Sequence, residues 1–382
     1  CRRCYQEEEV NNNKSLRIRS LQAYRYKSQK DLENDTEWLS SIRAPQGLMS
    51  EILDPKLEYL EIESGRYCNL KCRSCGPNLS TSYDEDYNEE MATNFFGPGS
   101  KVWNQKMKEP ATNESLAQLT YDDCKHLKEL KVTGGEPFLT DSFLKFMENL
   151  VQWDLVKNIT MEIFTNSSFS PKQKHIDLLP KFKQVLLNLS IDAVGSRAEF
   201  IRKKSKWDTV SKVSKKWEKL SLANDHIRLH VSFTISILNV LYIAEYYKWL
   251  INHFDQKTFE GNIHSSSNFL QYQIVAYPDY LSVMNVSPQS SKKLLGKLND
   301  QIAELSDFLK QKQIDHTIEN LPSDKFFSLI INDERYARLK PALYSIFEDL
   351  FNYITKGKNN RNLQDTFYKK TEMFDKIRNE NW

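Results

Sequence analysis

Cys68, Cys72 and Cys75 sit in Y-C-N-L-K-C-R-S-C-G-P, residues 67–77, and their C-x3-C-x2-C spacing is that of a metal-binding loop. Thiolates are soft ligands that select zinc or iron–sulfur centres. A structural zinc site closes with four ligands, typically supplied as two C-x2-C pairs. Here the longer first gap and the absent fourth cysteine favour a [4Fe-4S] cluster, one thiolate per iron at three corners, with the fourth iron unclaimed by the chain. A zinc site completed by Cys124 or a histidine is the competing reading of the same residues. A disulfide scaffold would spread its cysteines over the loops it staples. The six here are Cys1, Cys4, Cys68, Cys72, Cys75 and Cys124, with none afterwards.

A second stretch, T-G-G-E-P-F-L at 133–139, joins Gly134 and Gly135 to Glu136 and Pro137. Paired glycines let a backbone approach a ligand closely, and the carboxylate beside them can accept from an ammonium group. Other polar side chains fall where strands should end: Asn166 in F-T-N, Ser190 and Asp192 in L-S-I-D, and Asn239. Arg202, in F-I-R, is a candidate carboxylate clamp through its bidentate fork; its alternative is a solvated face of a basic helix. His230, Gln273 and Tyr277 are candidates for substrate contact or proton transfer, and a satisfied core histidine is the competing role for His230. Cys124 reads as a packing cysteine and His126 as structural.

The elements that must position these groups alternate along the chain. Strand patterns fall near 57–64, 129–134, 159–166, 184–192, 227–237 and 270–278, with helices predicted at 140–153, 172–181, 198–219, 241–254 and 290–312. Ile227, Leu229, Val231, Phe233 and Ile235 share one strand face and His230, Ser232 and Thr234 the other, because successive side chains alternate sides. Helices cover the apolar faces in β/α repeats, which leaves the polar faces to line an interior. A complete eight-stranded barrel fills that interior with branched apolar side chains. Six strands with polar inner faces therefore predict an α/β fold, a partial (β/α)6 TIM-type barrel with a wet cavity. An antiparallel sheet with one solvated face is the alternative. Residues 320–382 read as helical, with Leu343, Ile346, Phe347 and Leu350 on one stripe.

A cysteine triad after the first strand, followed some sixty residues later by G-G-E-P after the second, resembles the radical S-adenosylmethionine (SAM) superfamily. The resemblance implies that SAM binds the open iron through its amino and carboxylate groups. Electron transfer into the sulfonium then releases a 5′-deoxyadenosyl radical that abstracts hydrogen from substrate. It places Glu136 at the methionine ammonium, with Asn166, Ser190, Asp192 and Arg202 among the SAM contacts. One departure is Ser74, where the family often has an aromatic residue that helps seat adenine. The opening C-R-R-C-Y-Q-E-E-E resembles a narrower group with an N-terminal twitch module. By that likeness Cys1 and Cys4 are the last ligands of an auxiliary iron–sulfur cluster whose other ligands lie upstream of this sequence.

The expected organisation is a module remnant over 1–50, a barrel over 51–290 with an insertion at 77–117, and a helical extension over 291–382. Lys and Arg number 53 against 51 Asp and Glu, a balance that argues against nucleic acid and polybasic membrane binding. No apolar run approaches the roughly 18 residues of a membrane span, so the chain reads as cytoplasmic. The partners implied are a small-molecule or peptide substrate and a reductant such as flavodoxin or ferredoxin. A zinc-stabilised or degenerate, non-catalytic scaffold is the rival function, and nucleic-acid binding through the helix carrying Trp207 and Trp217 is the weakest.

Overall fold

The structure, a computed structural model, describes residues 57–86, 111–260, 268–275, 278–286, 288–321, 327–356, 366–372 and 375. Six strands, β1 (Tyr59–Glu63), β3 (Glu129–Thr133), β4 (Thr160–Thr165), β5 (Gln184–Ser190), β7 (Ile227–Ile235) and β8 (Leu270–Ile274), form one sheet. Two short strands, β2 (Lys71–Cys72) and β6 (Arg202–Lys203), pair antiparallel outside it. All neighbours in the large sheet are parallel, and their spatial order repeats their chain order. Every crossover therefore steps the same way, and right-handed connections place the helices on one side. That is the winding of a partial (β/α)6 barrel.

Apolar alternation decides which strand face the helices cover. Val132, Met161, Ile163, Leu187, Leu229, Val231 and Phe233 are essentially inaccessible and belong to one core. Phe143, Phe146 and Leu150 of α1 (Asp141–Gln152) join it from outside. The opposite faces carry Glu61, Lys131, Glu162, Arg228, Ser232 and Thr234, exposed or half-buried as a polar interior requires. Asn188 and His230 depart from that pattern, because both are fully buried.

The short helix α2 (Gln173–Leu178) precedes β5. The helix predicted over 198–219 is two helices, α3 (Gly195–Ile201) and α4 (Trp207–Leu222). Pairing of β6 with β2 breaks it, and Lys204 takes a φ of 74° in the turn between. Trp217 of α4 lies in the core and Trp207 packs on Trp249 of α5 (Ile243–His253), so neither ring is on a solvated basic face.

The C-terminal part adds α6 (Pro288–Gln311), β9 (His316–Asn320), β10 (Phe327–Ile331) and α7 (Lys340–Lys356). Leu298, Ile302, Leu343, Ile346 and Phe347 pack into the barrel's own core. The antiparallel hairpin of β9 and β10 is a feature the helical reading of residues from 320 onward did not include. The run F-F-S-L-I-I at 326–331 has the aromatic and β-branched content that favours it. Among the described residues no helix is long and apolar enough to cross a membrane.

Leu229 is wholly buried on a strand with neighbours on both sides. Leu229→Ala should therefore cost about 2–5 kcal/mol of unfolding free energy, measured by chemical denaturation.

Candidate functional site

The cysteine loop, residues 67–77, starts four residues after β1 and is held from both sides. Gly65 turns the chain with a φ of 113°. The register of β2 against β6 sets Cys72 opposite Arg202, and Arg73 N donates to Ile201 O at 2.8 Å. A 3-10 helix, Thr81–Asp86, then folds back under the loop. Its hydroxyls take the carbonyl of each cysteine: Ser82 Oγ donates to Cys68 O at 2.9 Å, and Tyr83 Oη donates to Cys72 O and to Cys75 O. Acidic side chains of the same turn lock it electrostatically. Arg66 pairs with both oxygens of Asp84 at 2.9 Å, Lys71 with Asp86, and Lys204 with Glu85 at 2.5 Å. These acidic residues fall inside the insertion expected over 77–117. The hydroxyl-rich S-T-S-Y at 80–83 was the signal for the turn's role.

Gly134 and Gly135 do bring a backbone unusually close, but to another backbone. A Cβ on Gly134, whose φ is 114°, would lie 2.8 Å from Gly65 O and Ser64 N. On Gly135 it would lie 2.4 Å from Tyr67 O. Gly135 N donates to Gly65 O at 2.7 Å and Glu136 N to Tyr67 O at 2.8 Å. The missing side chains let the loop after β3 lie against the segment that leads into Cys68. Pro137 starts the short turn that follows and is buried.

Glu136 and Asn166 bind the next strand end into the same unit. Glu136 is completely buried and accepts from Asn166 N at 2.7 Å, Thr165 Oγ1 at 3.0 Å and Phe138 N at 3.4 Å. Burial pushes its carboxyl up to about 7, against the pull of those donors toward the charged form. Asn166 Nδ2 donates to Asn69 Oδ1 at 3.0 Å and stands 3.8 Å from Cys68 Sγ. Ser168 closes that network, accepting from Asn69 Nδ2 at 2.8 Å and donating to Asn166 Oδ1 at 2.6 Å.

On the far side of the triad, Arg202 Nε donates to Asp192 Oδ2 at 2.8 Å. Burial opposes the guanidinium's charge, and Asp192 with the neighbouring thiols more than offsets it, so its pKa is raised. Asp192 itself is fixed by Thr234 N on Oδ1 at 3.0 Å. Asn239, expected to face a cavity, instead donates to Asp192 O at 2.7 Å and Thr234 O at 2.8 Å. Ser190 lies half-buried beside Ser232.

His230 lies on β7. It is fully buried, its Nδ1 is 2.9 Å from Gln271 Nε2, and burial drops its pKa to about 3, so the ring is uncharged at neutral pH. Gln273 is exposed on the same side of the sheet. Tyr277, Cys1 and Cys4 lie outside the described residues.

Cys68, Cys72 and Cys75 are all free thiols. Burial and the neighbouring Cys72 push Cys68 up to about 12. Cys72 and Cys75 share a hydrogen bond, which with burial raises Cys72 and itself lowers Cys75. Cys124, expected to be a packing residue, is inaccessible within the main core. Among the described residues no three histidine, cysteine or acidic groups are arranged to hold a metal ion of any kind. The loop offers three free thiols and no carboxylate among them, the donor chemistry that an iron–sulfur cluster takes.

No family model and no curated protein matches the chain. Solved structures with a similar fold include native anSMEcpe with bound AdoMet, 18% identical over 66% of this chain and 62% of that one, with a TM-score of 0.39. Streptococcus suis SuiB bound to the precursor peptide SuiA is 15% identical over 75% and 52%, with a TM-score of 0.39. The radical S-adenosylmethionine methyltransferase TsrM from Kitasatospora setae, with tryptophan substrate and a SAM analogue bound, is 11% identical over 85% and 63%, with a TM-score of 0.36. The chain spans roughly three-fifths of the length of the first of these.

Two outcomes follow from this geometry. Gly135→Ala should displace the loop before Cys68 and destabilise the fold by roughly 1–3 kcal/mol, read by denaturation, since the overlap is with backbone. Because the folded pKa of Glu136 lies above its ordinary 4.5, its contribution is full below about 4.5 and declines as pH rises to about 7. The stability of Glu136→Gln relative to the wild type should therefore increase across that window and stay level above it. A flat difference from pH 4.5 to 7 would contradict the assigned burial.

Proposed function

We propose that the chain is a radical SAM enzyme whose cluster ligands are Cys68, Cys72 and Cys75. The observation that carries this reading is the meeting, at one end of the barrel, of three free thiols, the Gly-Gly-Glu turn and a buried Arg–Asp pair. When bound, a [4Fe-4S] cluster would supply the electron that cleaves S-adenosylmethionine and so initiates hydrogen abstraction from substrate.

The chain's residues would bind and orient. Arg202 commits Nε to Asp192, so the outer edge of its fork can take the SAM carboxylate. Asp192, held by Thr234 N, keeps that fork from swinging. Glu136 and Asn166 set the height of the strand ends around the triad, and Ser190 offers a hydroxyl at the same level. Asn166 Nδ2 would lower the negative charge on Cys68 by donating toward its sulfur. Without an aromatic residue at Ser74, adenine would be seated by other groups. Cys1 and Cys4 would serve as ligands to an auxiliary cluster of a twitch module. Substrate is a small molecule or a peptide, and a cytoplasmic flavodoxin or ferredoxin would serve as reductant.

Anaerobic reconstitution followed by metal analysis tests the assignment. About four irons per protein are expected at the triad site, and Cys72→Ala should abolish them. The reconstituted protein with SAM and dithionite should release 5′-deoxyadenosine; a colourless zinc protein, or an iron-loaded one inert toward SAM, overturns the reading. Arg202→Lys, which keeps the charge and loses the fork, should weaken SAM binding on the order of tenfold by equilibrium titration.

A further inference from the structure

Three cations flank the short turn that follows β7, and among the described residues no carboxylate pairs with any of them. The first is Arg197 of α3, whose guanidinium carbon stands over the Tyr242 ring, 3.0 Å from its centre. Its Nε is buried and has no hydrogen-bond partner. Tyr242 ends the 3-10 turn Val240–Tyr242. Val240 and Leu241 of that turn line, with Ile237 and Leu294, an apolar groove of about 170 Å³. Lys293 and Lys297, four residues apart on α6 and both exposed, form its edge. Like charges at that spacing repel each other along a helix, so an anionic partner would relieve the pair.

Contacts between the two helices fix the height of this groove. Gln301 of α6 accepts from Ala244 N at 3.2 Å and donates to Val240 O at 3.1 Å, and Glu304 pairs with Lys248 at 2.6 Å. α6 therefore runs alongside α5 in the same direction. At 1.5 Å per residue, Lys297 and Lys293 precede Gln301 by about 6 and 12 Å. Because α5 begins just after the C-terminal end of β7, both lysines stand at the strand ends, the side of the cysteine loop and Arg202. The groove is smaller than the roughly 300 Å³ of a small-molecule site and suits one apolar side chain. Cations on two separate elements ask for more than one anionic group. Stacking uses the face of Arg197 and leaves its edge for a carboxylate. An apolar side chain flanked by carboxylates meets all three demands, and a peptide supplies them on one backbone.

We infer that this surface docks an acidic peptide segment, with one apolar side chain in the groove and carboxylates on Arg197, Lys293 and Lys297. That the docked peptide is the substrate rests on the function proposed above; the docking itself stands on the surface. It is tested by panning a phage-displayed decapeptide library against the full chain, cluster-free, at low ionic strength, where exposed charges are least screened. Recovered peptides should carry Leu, Ile or Phe beside two or more Asp or Glu. Fluorescence anisotropy of the best of them, labelled with fluorescein, should show Kd rising on the order of tenfold in Arg197→Gln and in the double variant Lys293→Gln/Lys297→Gln. Ala in place of the peptide's apolar residue should weaken binding by a similar factor. A library with no acidic consensus, or a recovered peptide held equally well by both variants, overturns the inference. So does binding of sodium octanoate with no peptide enriched, since the occupant is then a small amphiphile. Should Arg197→Gln loosen α3, the lysine variant decides, because both lysines are exposed. Failure of the iron assignment would leave this binding untouched, and failure of the docking would leave the metal analysis untouched.

Discussion

Everything at this site depends on three backbone segments meeting at a distance that side chains would forbid. The run from Gly65 to Tyr67, the turn at Gly134 and Gly135, and the end of β4 at Thr165 and Asn166 are joined by backbone hydrogen bonds and by one buried carboxylate. A methyl group at Gly135 would sit 2.4 Å from a carbonyl oxygen, well inside van der Waals contact. Close approach is therefore a covalent fact of the sequence. It fixes where Cys68 begins relative to β3 and β4, and the rest of the triad follows from that point.

Once Cys68 is placed, the loop's polar backbone has to be satisfied away from regular structure. Buried carbonyls without partners cost free energy comparable to a lost hydrogen bond. Here the hydroxyls of Ser82 and Tyr83, in the turn that follows the triad, supply those partners. Charge is managed in the same way. Arg66, Lys71 and Arg202 lie around a loop built for thiolates, and each is matched by a carboxylate. Removing one partner of such a pair is far more destabilising than the pair is stabilising, so these contacts fix geometry more than they add stability.

The fold was largely legible in the sequence, because apolar alternation on six segments and helical stripes between them are direct consequences of burial. All six predicted strands form, and the parallel order follows from the intervening helices. What the pattern could not reveal was long-range. The break between α3 and α4 comes from a two-residue ladder with Lys71 and Cys72, more than a hundred residues earlier. The candidate site was legible as a set of residues. Their division of labour was not: Gly134, Gly135, Glu136 and Asn239 are engaged with protein backbone, a role no local motif distinguishes from ligand binding. Tyr83 was missed because nothing local links a tyrosine to carbonyls eight and eleven residues behind it.

The interior of the barrel gives the last constraint on where chemistry can occur. Below the mouth, Asn188 and His230 face each other across β5 and β7, both inaccessible. Asn188 Nδ2 turns to Glu162 Oε1 at 3.3 Å and His230 Nδ1 to Gln271, while Asn188 Oδ1 and His230 Nε2 find no protein partner. One rung higher, Ser190 and Ser232 are half-exposed. The polar lining is thus closed at the level of Asn188 and His230 and open above it. Any reacting group must therefore approach from the strand ends, the side on which the cysteines and Arg202 lie.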